Sequence, residues 1–245
     1  MSREPTISGT MISVIIPVYN EAGGLKTFLR TLKPVLDAQA KAIPYEIILV
    51  DGGSSDGTVD IARQGGFRCV SSPRKGRAAQ MNHGSRLASG AYLYFLHADT
   101  LPPANALSQI MQAAGEGALS GCFRLSFDEP YWLMRLYAWF TRFDLLPFRY
   151  GDQSMFVRTD LFHDLDGFRE DHMVMEDNEM FRRLRKRGHF VILDDAVVTS
   201  ARTYRKNGFL RLQFIFFMIF TMYYLGVRQE TLFDFYRSMI SNSKL

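Results

Sequence analysis

A chain of 245 residues, 47% hydrophobic and 22% charged, has the makeup of an ordinary globular protein and is long enough to bury a sizeable core. Its formal charge of +4 is a mild basic bias. That suits a phosphorylated ligand or an anionic membrane surface and is too small to argue for nucleic acid. The two cysteines, Cys69 and Cys122, each fall in a predicted strand and read as buried thiols of a reducing compartment, with a disulfide between them left open.

The first ten residues, MSREPTISGT, are polar and lack the apolar core of a secretory signal peptide, so a cytoplasmic location is expected. Apolar runs then predict strands near 12–18, 45–51, 67–71 and 91–97, with helical patterns between them. That alternation is the signature of βαβ units, hence an α/β fold with a Rossmann-like, largely parallel central sheet flanked by helices. The first run ends at Asn20 and Glu21, the second at Asp51 and the fourth at Asp99. In open α/β sheets the carboxyl ends of the strands line the ligand crevice. Three polar strand ends on one rim predict a nucleotide site, with the carboxylates of MEDNE, residues 175–179, as candidates for the chemistry beside it.

The third strand is followed by SPRKGRAAQMNHG, where Arg74, Lys75 and Arg77 surround Gly76 ahead of a helix, a plausible cradle for phosphate. Asp56, before Gly57 and Thr58, has the placement of a helix N-cap. From residue 129, EPYWLMRLYAWFTRFDLLPF reads as an amphipathic helix and loop. MEDNEMFRRLRKRG reads as a helix with acids in its first turn and arginines toward its end, the arrangement a helix dipole favours. From Asn207 onward GFLRLQFIFFMIFTMYYLGV is apolar for most of its length, but its uninterrupted core is short of the roughly 20 residues a bilayer span needs. It is expected to pack on the domain or a dimer partner, or to lie on a membrane surface; Trp132, Arg135, Trp139 and Arg142 either join that surface or cover the sheet.

SVIIPVYNE, EIILVDGGSSDGT, KGRAAQMNHG, LHADT and MEDNEMFRRL, in that order over residues 11–200, resemble family 2 of the glycosyltransferases. HAD, GRAAQMN and GDQ together resemble, more narrowly, a bacterial subgroup labelled as transferases associated with radical-SAM and selenium-domain proteins. The resemblance implies the glycosyltransferase-A type of fold over residues 11–206, with a nucleotide-binding half at 11–128 and an acceptor half at 129–206, followed by a helical extension at 207–245. It implies inverting transfer of a single sugar from a nucleoside diphosphate sugar, UDP favoured, to an acceptor that the aromatic segments would allow to be lipid-linked. The motif that marks processive polysaccharide synthases, glutamine-x-x-arginine-tryptophan, does not occur.

Residue by residue, the resemblance assigns the donor to Pro17, Tyr19, Glu21, Asp51, Gly53, Arg77, Asn82, His97, Ala98 and Asp99. Asp51 would fix the nucleobase or ribose, or else only cap its own glycine-rich turn. Asp99 matches the last acid of an aspartate-x-aspartate motif that holds Mn²⁺ or Mg²⁺, while His97 replaces the first acid and would ligate the metal or contact ribose or phosphate. Gly52 stands where many relatives carry another acid. Asp177 matches the general base; Asp152, Gln153 and Glu176 would face the acceptor; Arg202 and Arg205 would contact phosphate or form a lid. Two other readings remain open at this point: a non-catalytic nucleotide-sugar binder, and a sugar nucleotidyltransferase, whose usual glycine-rich loop is absent after the first strand.

Overall fold

The structure, a computed structural model, describes residues 10–240. The polar segment read for a signal peptide and the last five residues of the 207–245 extension lie outside the described residues.

The long apolar runs become strands where their β-branched side chains can be buried on both faces. β1 (Ile12–Val18), β2 (Tyr45–Asp51), β3 (Arg68–Ser71) and β4 (Tyr92–Phe95) are parallel neighbours in the order β3-β2-β1-β4. Val18 pairs with Asp51, and Asp51 with Ser71, so these strands stop level with one another. The Leu96 N–H bonds the Ile15 carbonyl at 3.0 Å and leads the chain on to His97 and Asp99 at the same rim.

Alternation along β1 divides the core in two. Ile12, Val14, Ile16 and Val18 join one cluster with α1 (Ala22–Asp37), whose Leu25, Phe28, Leu29, Leu32 and Leu36 recur at helical spacing. Ile15, with Ile48 and Val50, joins the other, against Ala78 and Met81 of α3 (Arg77–Arg86). The shorter α2 (Thr58–Gln64) connects β2 to β3.

Beyond β4 the sheet is mixed. The eight strands run β3-β2-β1-β4-β7-β6-β8-β5, with β5 (Thr100–Leu101), β6 (Ser120–Phe127), β7 (Met155–Arg158) and β8 (Phe190–Thr199). β4 and β7, β7 and β6, and β8 and β5 pair antiparallel, whereas β6 and β8 are parallel. The register of β8 on β6 shifts after Leu193, where Asp194 and Asp195 fall between paired positions as a bulge. Two polar residues in mid-strand interrupt its apolar run. Helices α4 (Ala106–Gly115), α5 (Trp132–Phe140), α6 (Thr159–Asp164) and α7 (Glu176–Leu184) complete the layers.

The C-terminal stretch forms α8 (Arg202–Asn207), α9 (Phe209–Tyr224) and α10 (Gln229–Met239). They build a third cluster in which Leu212, Ile215, Ile219 and Leu232 pack with Met134 of α5 and with Val174 and Met175 just before α7. No helix among the described residues is long and apolar enough to cross a membrane. Cys69 in β3 and Cys122 in β6 are free thiols in separate strands, which closes the disulfide alternative; burial pushes the Cys122 thiol up to about 12.

Candidate active site

The strand-end rim is built by loops that stitch β1 to β2. Asn20 adopts a left-handed backbone (φ 51°), and its N–H bonds Ser54 Oγ at 2.9 Å while its Oδ1 accepts the Ser55 N–H at 3.0 Å. The Glu21 N–H bonds Thr58 Oγ1 at 2.8 Å. Asp51 is 3% exposed, and its carboxylate accepts the N–H groups of Gly53 at 2.9 Å and Ser54 at 3.2 Å. Of its two readings, the turn-capping one is the one its bonds display. Asp56 is not the N-cap of α2, a position held by Gly57. Its carboxylate instead accepts the Ala22 N–H at 3.0 Å, capping α1 across the rim, and the Thr58 N–H at 3.1 Å. Pro17 and Tyr19 are half-buried on either side of Val18, Ala98 is buried at the end of the β4 run, and Gly53 (φ 93°) has open space where a side chain would stand.

Gln80, one turn into α3, carries no motif signal of its own beyond GRAAQMN, yet it closes the sheet end. Its amide nitrogen donates to the carbonyls of Val18 at 2.8 Å and Val50 at 2.7 Å. A β-carbon at residue 52 would lie 3.0 Å from this amide, so Gly52, in place of an acid, makes room for Gln80.

Opposite this loop, four elements converge. Arg77 opens α3, Glu176 and Asp177 open α7, His97 follows β4, and Gly151 begins the short 3-10 turn Gly151–Gln153. The Gly151 N–H donates to Asp177 Oδ2 at 3.0 Å. An Arg77 guanidinium nitrogen lies 3.3 Å from Glu176 Oε1 and 3.6 Å from Asp177 Oδ2. Any β-carbon on Gly151 would collide with the Asp177 carboxylate and come within 2.8 Å of His97 Cε1, so the close approach needs glycine. His97 Nδ1 donates to Asp152 Oδ1 at 3.1 Å. Further along the rim Arg202, the first residue of α8, reaches Asp99 at 3.5 Å and Glu21 at 3.7 Å.

The charges of this cluster are unevenly compensated. Burial, and then Asp177 beside it, push the Glu176 carboxyl up to about 7 against the pull of Arg77; its Oε1 has no hydrogen-bond partner. Burial, Asp152 and Glu21 raise Asp99 above the usual carboxylate range, with His97 and Arg202 opposing. Burial alone would lower His97, but its bond to Asp152 and the nearby carboxylates raise it. Asp152 is correspondingly lowered: the His97 bond and Arg77 outweigh burial. Among the described residues no three His, Cys, Asp or Glu side chains converge as a metal cage. His97 gives its Nδ1 hydrogen to Asp152, which leaves Nε2 as its remaining nitrogen; Asp99, the other residue expected to hold a metal, faces Arg202 on the same rim.

Three expected contacts are given other work. Asn82 donates to the Phe168 carbonyl at 2.8 Å and to Glu170 at 3.0 Å, and accepts the Phe168 N–H at 2.8 Å, so its amide locks α3 to the 166–170 loop. Gln153 is buried, accepts from Arg149 at 3.2 Å and donates to the Phe123 carbonyl at 3.4 Å, which props the turn from beneath. Arg205 points to Glu129 at the surface, away from the Arg202 cluster. Two residues not singled out in the sequence hold the segment ahead of the Gly151 turn. Arg149, fully buried, donates to the carbonyls of Thr141 at 2.8 Å and of Phe143. Asn178 donates to the Leu146 and Arg149 carbonyls at 2.7 and 3.1 Å and accepts the Tyr224 hydroxyl of α9 at 2.9 Å.

The model of the family described as "Glycosyl transferase family 2" matches residues 13–174, from β1 to the threshold of α7. The chain belongs to glycosyltransferase family 2. A PGL/p-HBAD biosynthesis glycosyltransferase of Mycobacterium tuberculosis is 31% identical over 182 residues, 70% of this chain and 68% of that protein. The glycosyltransferase AglE of Haloferax volcanii is 38% identical over 97 residues, 37% of this chain and 31% of its own. The match therefore spans about a third of that relative. Among solved structures, the mannosyltransferase PcManGT of Pyrobaculum calidifontis in complex with GDP-Man and Mn²⁺ superposes with a TM-score of 0.62 at 20% identity, over 83% of this chain and 60% of that one. TarS 1-349 of S. aureus in complex with UDP-GlcNAc superposes with a TM-score of 0.60 at 17% identity, over 78% and 58%. These likenesses establish the glycosyltransferase-A type of fold, with its mixed sheet flanked by helices.

Proposed function

We propose that this family 2 protein transfers a single sugar, with inversion, from a nucleoside diphosphate sugar to an acceptor hydroxyl, and that Asp177 is the general base. The observation that carries this reading is the setting of Asp177: a carboxylate at the start of α7, oriented by the Gly151 N–H at 3.0 Å with Arg77 3.6 Å away. A base of this kind must reach the acceptor proton directly. Asp177 takes that proton, the freed oxygen attacks the anomeric carbon, and the bond from that carbon to the diphosphate oxygen breaks with its electrons leaving on the nucleoside diphosphate. No covalent sugar intermediate forms.

The donor rests on the rim of Pro17, Tyr19, Glu21, Gly53, Ala98 and Asp99, on the loop that Asp51 holds in shape. Arg77 and Arg202 supply fixed positive charge for the diphosphate. Asp152 and Glu176 face the acceptor, with Asp152 also fixing the His97 ring. A divalent cation fits at Asp99: a hard cation takes oxygen ligands and completes its shell with phosphate oxygens and water, so one or two carboxylates suffice. The raised Asp99 carboxyl, short of compensating positive charge, supports it. When bound, such an ion neutralises charge on the departing diphosphate. The Mn²⁺ in the mannosyltransferase complex favours the same reading; which ion serves here is open to direct titration. UDP is the nucleotide preferred on motif grounds, and GDP is the competitor that the mannosyltransferase complex brings forward. Residues 11–206 constitute the catalytic domain in this reading and 207–245 an extension against it.

Asp177→Asn is expected to lower donor turnover by about 10²–10⁴-fold with donor affinity unchanged. Equal loss of binding and turnover would overturn the assignment of the base.

A further inference from the structure

Helices α5 and α9 each bury one face and leave the other apolar and uncovered. On α5 the buried side is Met134, while Trp132 (64% exposed), Leu136 and Trp139, followed by Phe143 and Leu145, face outward. Residues 132, 136, 139 and 143 lie at helical spacing, so this is one stripe. Arg135 and Arg142 lie exposed beside it, and the Arg142 guanidinium stands over the Trp139 ring at 5.0 Å. On α9 the side opposite Leu212, Ile215 and Ile219 presents Leu210 (69% exposed), Phe214 and Phe217 (64%), and the stripe runs on to Tyr224 and Leu225. The stripes meet where the Tyr131 ring contacts both Trp132 at 6.5 Å and Phe209 at 5.8 Å.

The sign of the charge selects the occupant. Neither helix contains an Asp or Glu; their charged residues are Arg135 and Arg211, and Arg142 is the first charged residue after α5. The acids on either side of α5 are engaged by arginines, Asp144 by Arg185 at 2.9 Å and Glu129 by Arg205. Tryptophan and arginine on an exposed apolar stripe are what the boundary of a bilayer accommodates: rings at headgroup depth, guanidinium groups on lipid phosphates. A second copy of this face, whose helices carry arginines and no acid, would meet like charge. α9, with 16 residues, is too short to span but well suited to lie in the interface.

We infer that the joined faces of α5 and α9 dock the protein on an anionic phospholipid surface. The docking face is mechanically continuous with the acceptor side of the rim. The Tyr150 ring, one residue before Gly151, lies 6.4 Å from Phe216, and Tyr224 bonds Asn178 beside Asp177. The docking does not depend on the reaction proposed above.

The chain's two tryptophans both lie on this face, so intrinsic fluorescence reads it without a label. The 245-residue chain titrated with vesicles of phosphatidylcholine containing phosphatidylglycerol is expected to shift its emission to the blue and to sediment with the vesicles, more weakly as salt rises. Arg135→Gln and Arg142→Gln should each weaken partitioning by about fivefold. Phe214→Ser with Phe217→Ser, which keeps both fluorophores, should reduce it by at least about tenfold, with the circular dichroism of the free protein unchanged. Unshifted emission and no sedimentation would overturn the inference. So would a blue shift that grows with protein concentration in the absence of lipid, the mark of self-association through this face.

Discussion

Gly151 carries no side chain, yet it determines how closely His97 and Asp177 approach each other. Its amide orients the carboxylate proposed as base, and its missing β-carbon is the space that both side chains use. Gly151→Ala is therefore expected to displace Asp177 and to cost about 10²-fold in turnover, since a misplacement of about 1 Å is enough for that; donor affinity by calorimetry should change far less. Glu176 offers a pH test. Its carboxyl is raised in the folded protein to about 7 from the ordinary 4.5, so the folded state holds its proton more tightly than the unfolded chain does. That contribution to stability is fully present below the unfolded value and is lost as pH rises through about 7. Glu176→Gln cannot ionise and should gain thermal midpoint relative to the unsubstituted protein between pH 5 and pH 8; a difference independent of pH would contradict the burial argument.

The turn and loop between α5 and α7 are pinned from inside by one cation. Arg149 is fully buried and its guanidinium holds the carbonyls of Thr141 and Phe143 and the amide of Gln153, with Asp144 at 3.7 Å. Arg149→Leu should cost at least about 1–3 kcal/mol in chemical denaturation, because it strands buried acceptors. It should also depress turnover by loosening Gly151. In the interior of α1, Leu32→Ala should cost about 2–5 kcal/mol and leave donor affinity intact. The two elements also show what sequence can and cannot reveal. The leucine and phenylalanine spacing of α1 and the apolar runs of β1 and β2 announce themselves, because a buried helix face and a doubly covered strand each impose a period. A polar side chain imposes none. Asn82 and Gln153 sit inside recognisable motifs, but whether an amide turns toward ligand or toward a neighbouring carbonyl depends on tertiary packing. The same uncertainty hid Arg149, an arginine in a run of aromatics whose partners are backbone carbonyls six to eight residues away.

At the scale of the whole molecule, the parallel strands β3-β2-β1-β4 supply the rim, and the mixed continuation β7-β6-β8-β5 is linked to the Gly151 turn, α7 and Arg202 beside it. The first part was readable because parallel strands end together at polar residues. Of the second, single strands at Cys122 and ahead of Arg202 were readable but their pairing was not: the strands are short, bulged or half-covered, and β6 and β7 join β4 to β8 across a large separation in sequence. The third hydrophobic cluster then brings α9 and α10 against the segment that leads into α7, and Tyr236 of α10 lies within electrostatic reach of Arg77, Asp152 and Glu176. The central claim is that this rim binds a nucleoside diphosphate sugar through Asp99 and a divalent cation, with Asp177 reserved for the chemistry. Calorimetric titration of UDP- and GDP-sugars tests it most directly, in Mn²⁺, in Mg²⁺ and in chelator, for the unsubstituted protein, Asp99→Ala and Asp177→Asn. Metal-dependent binding of one nucleotide sugar that is lost in Asp99→Ala and kept in Asp177→Asn is the predicted result. Absence of binding under every condition, or binding unaffected by chelator and by Asp99→Ala, would contradict it.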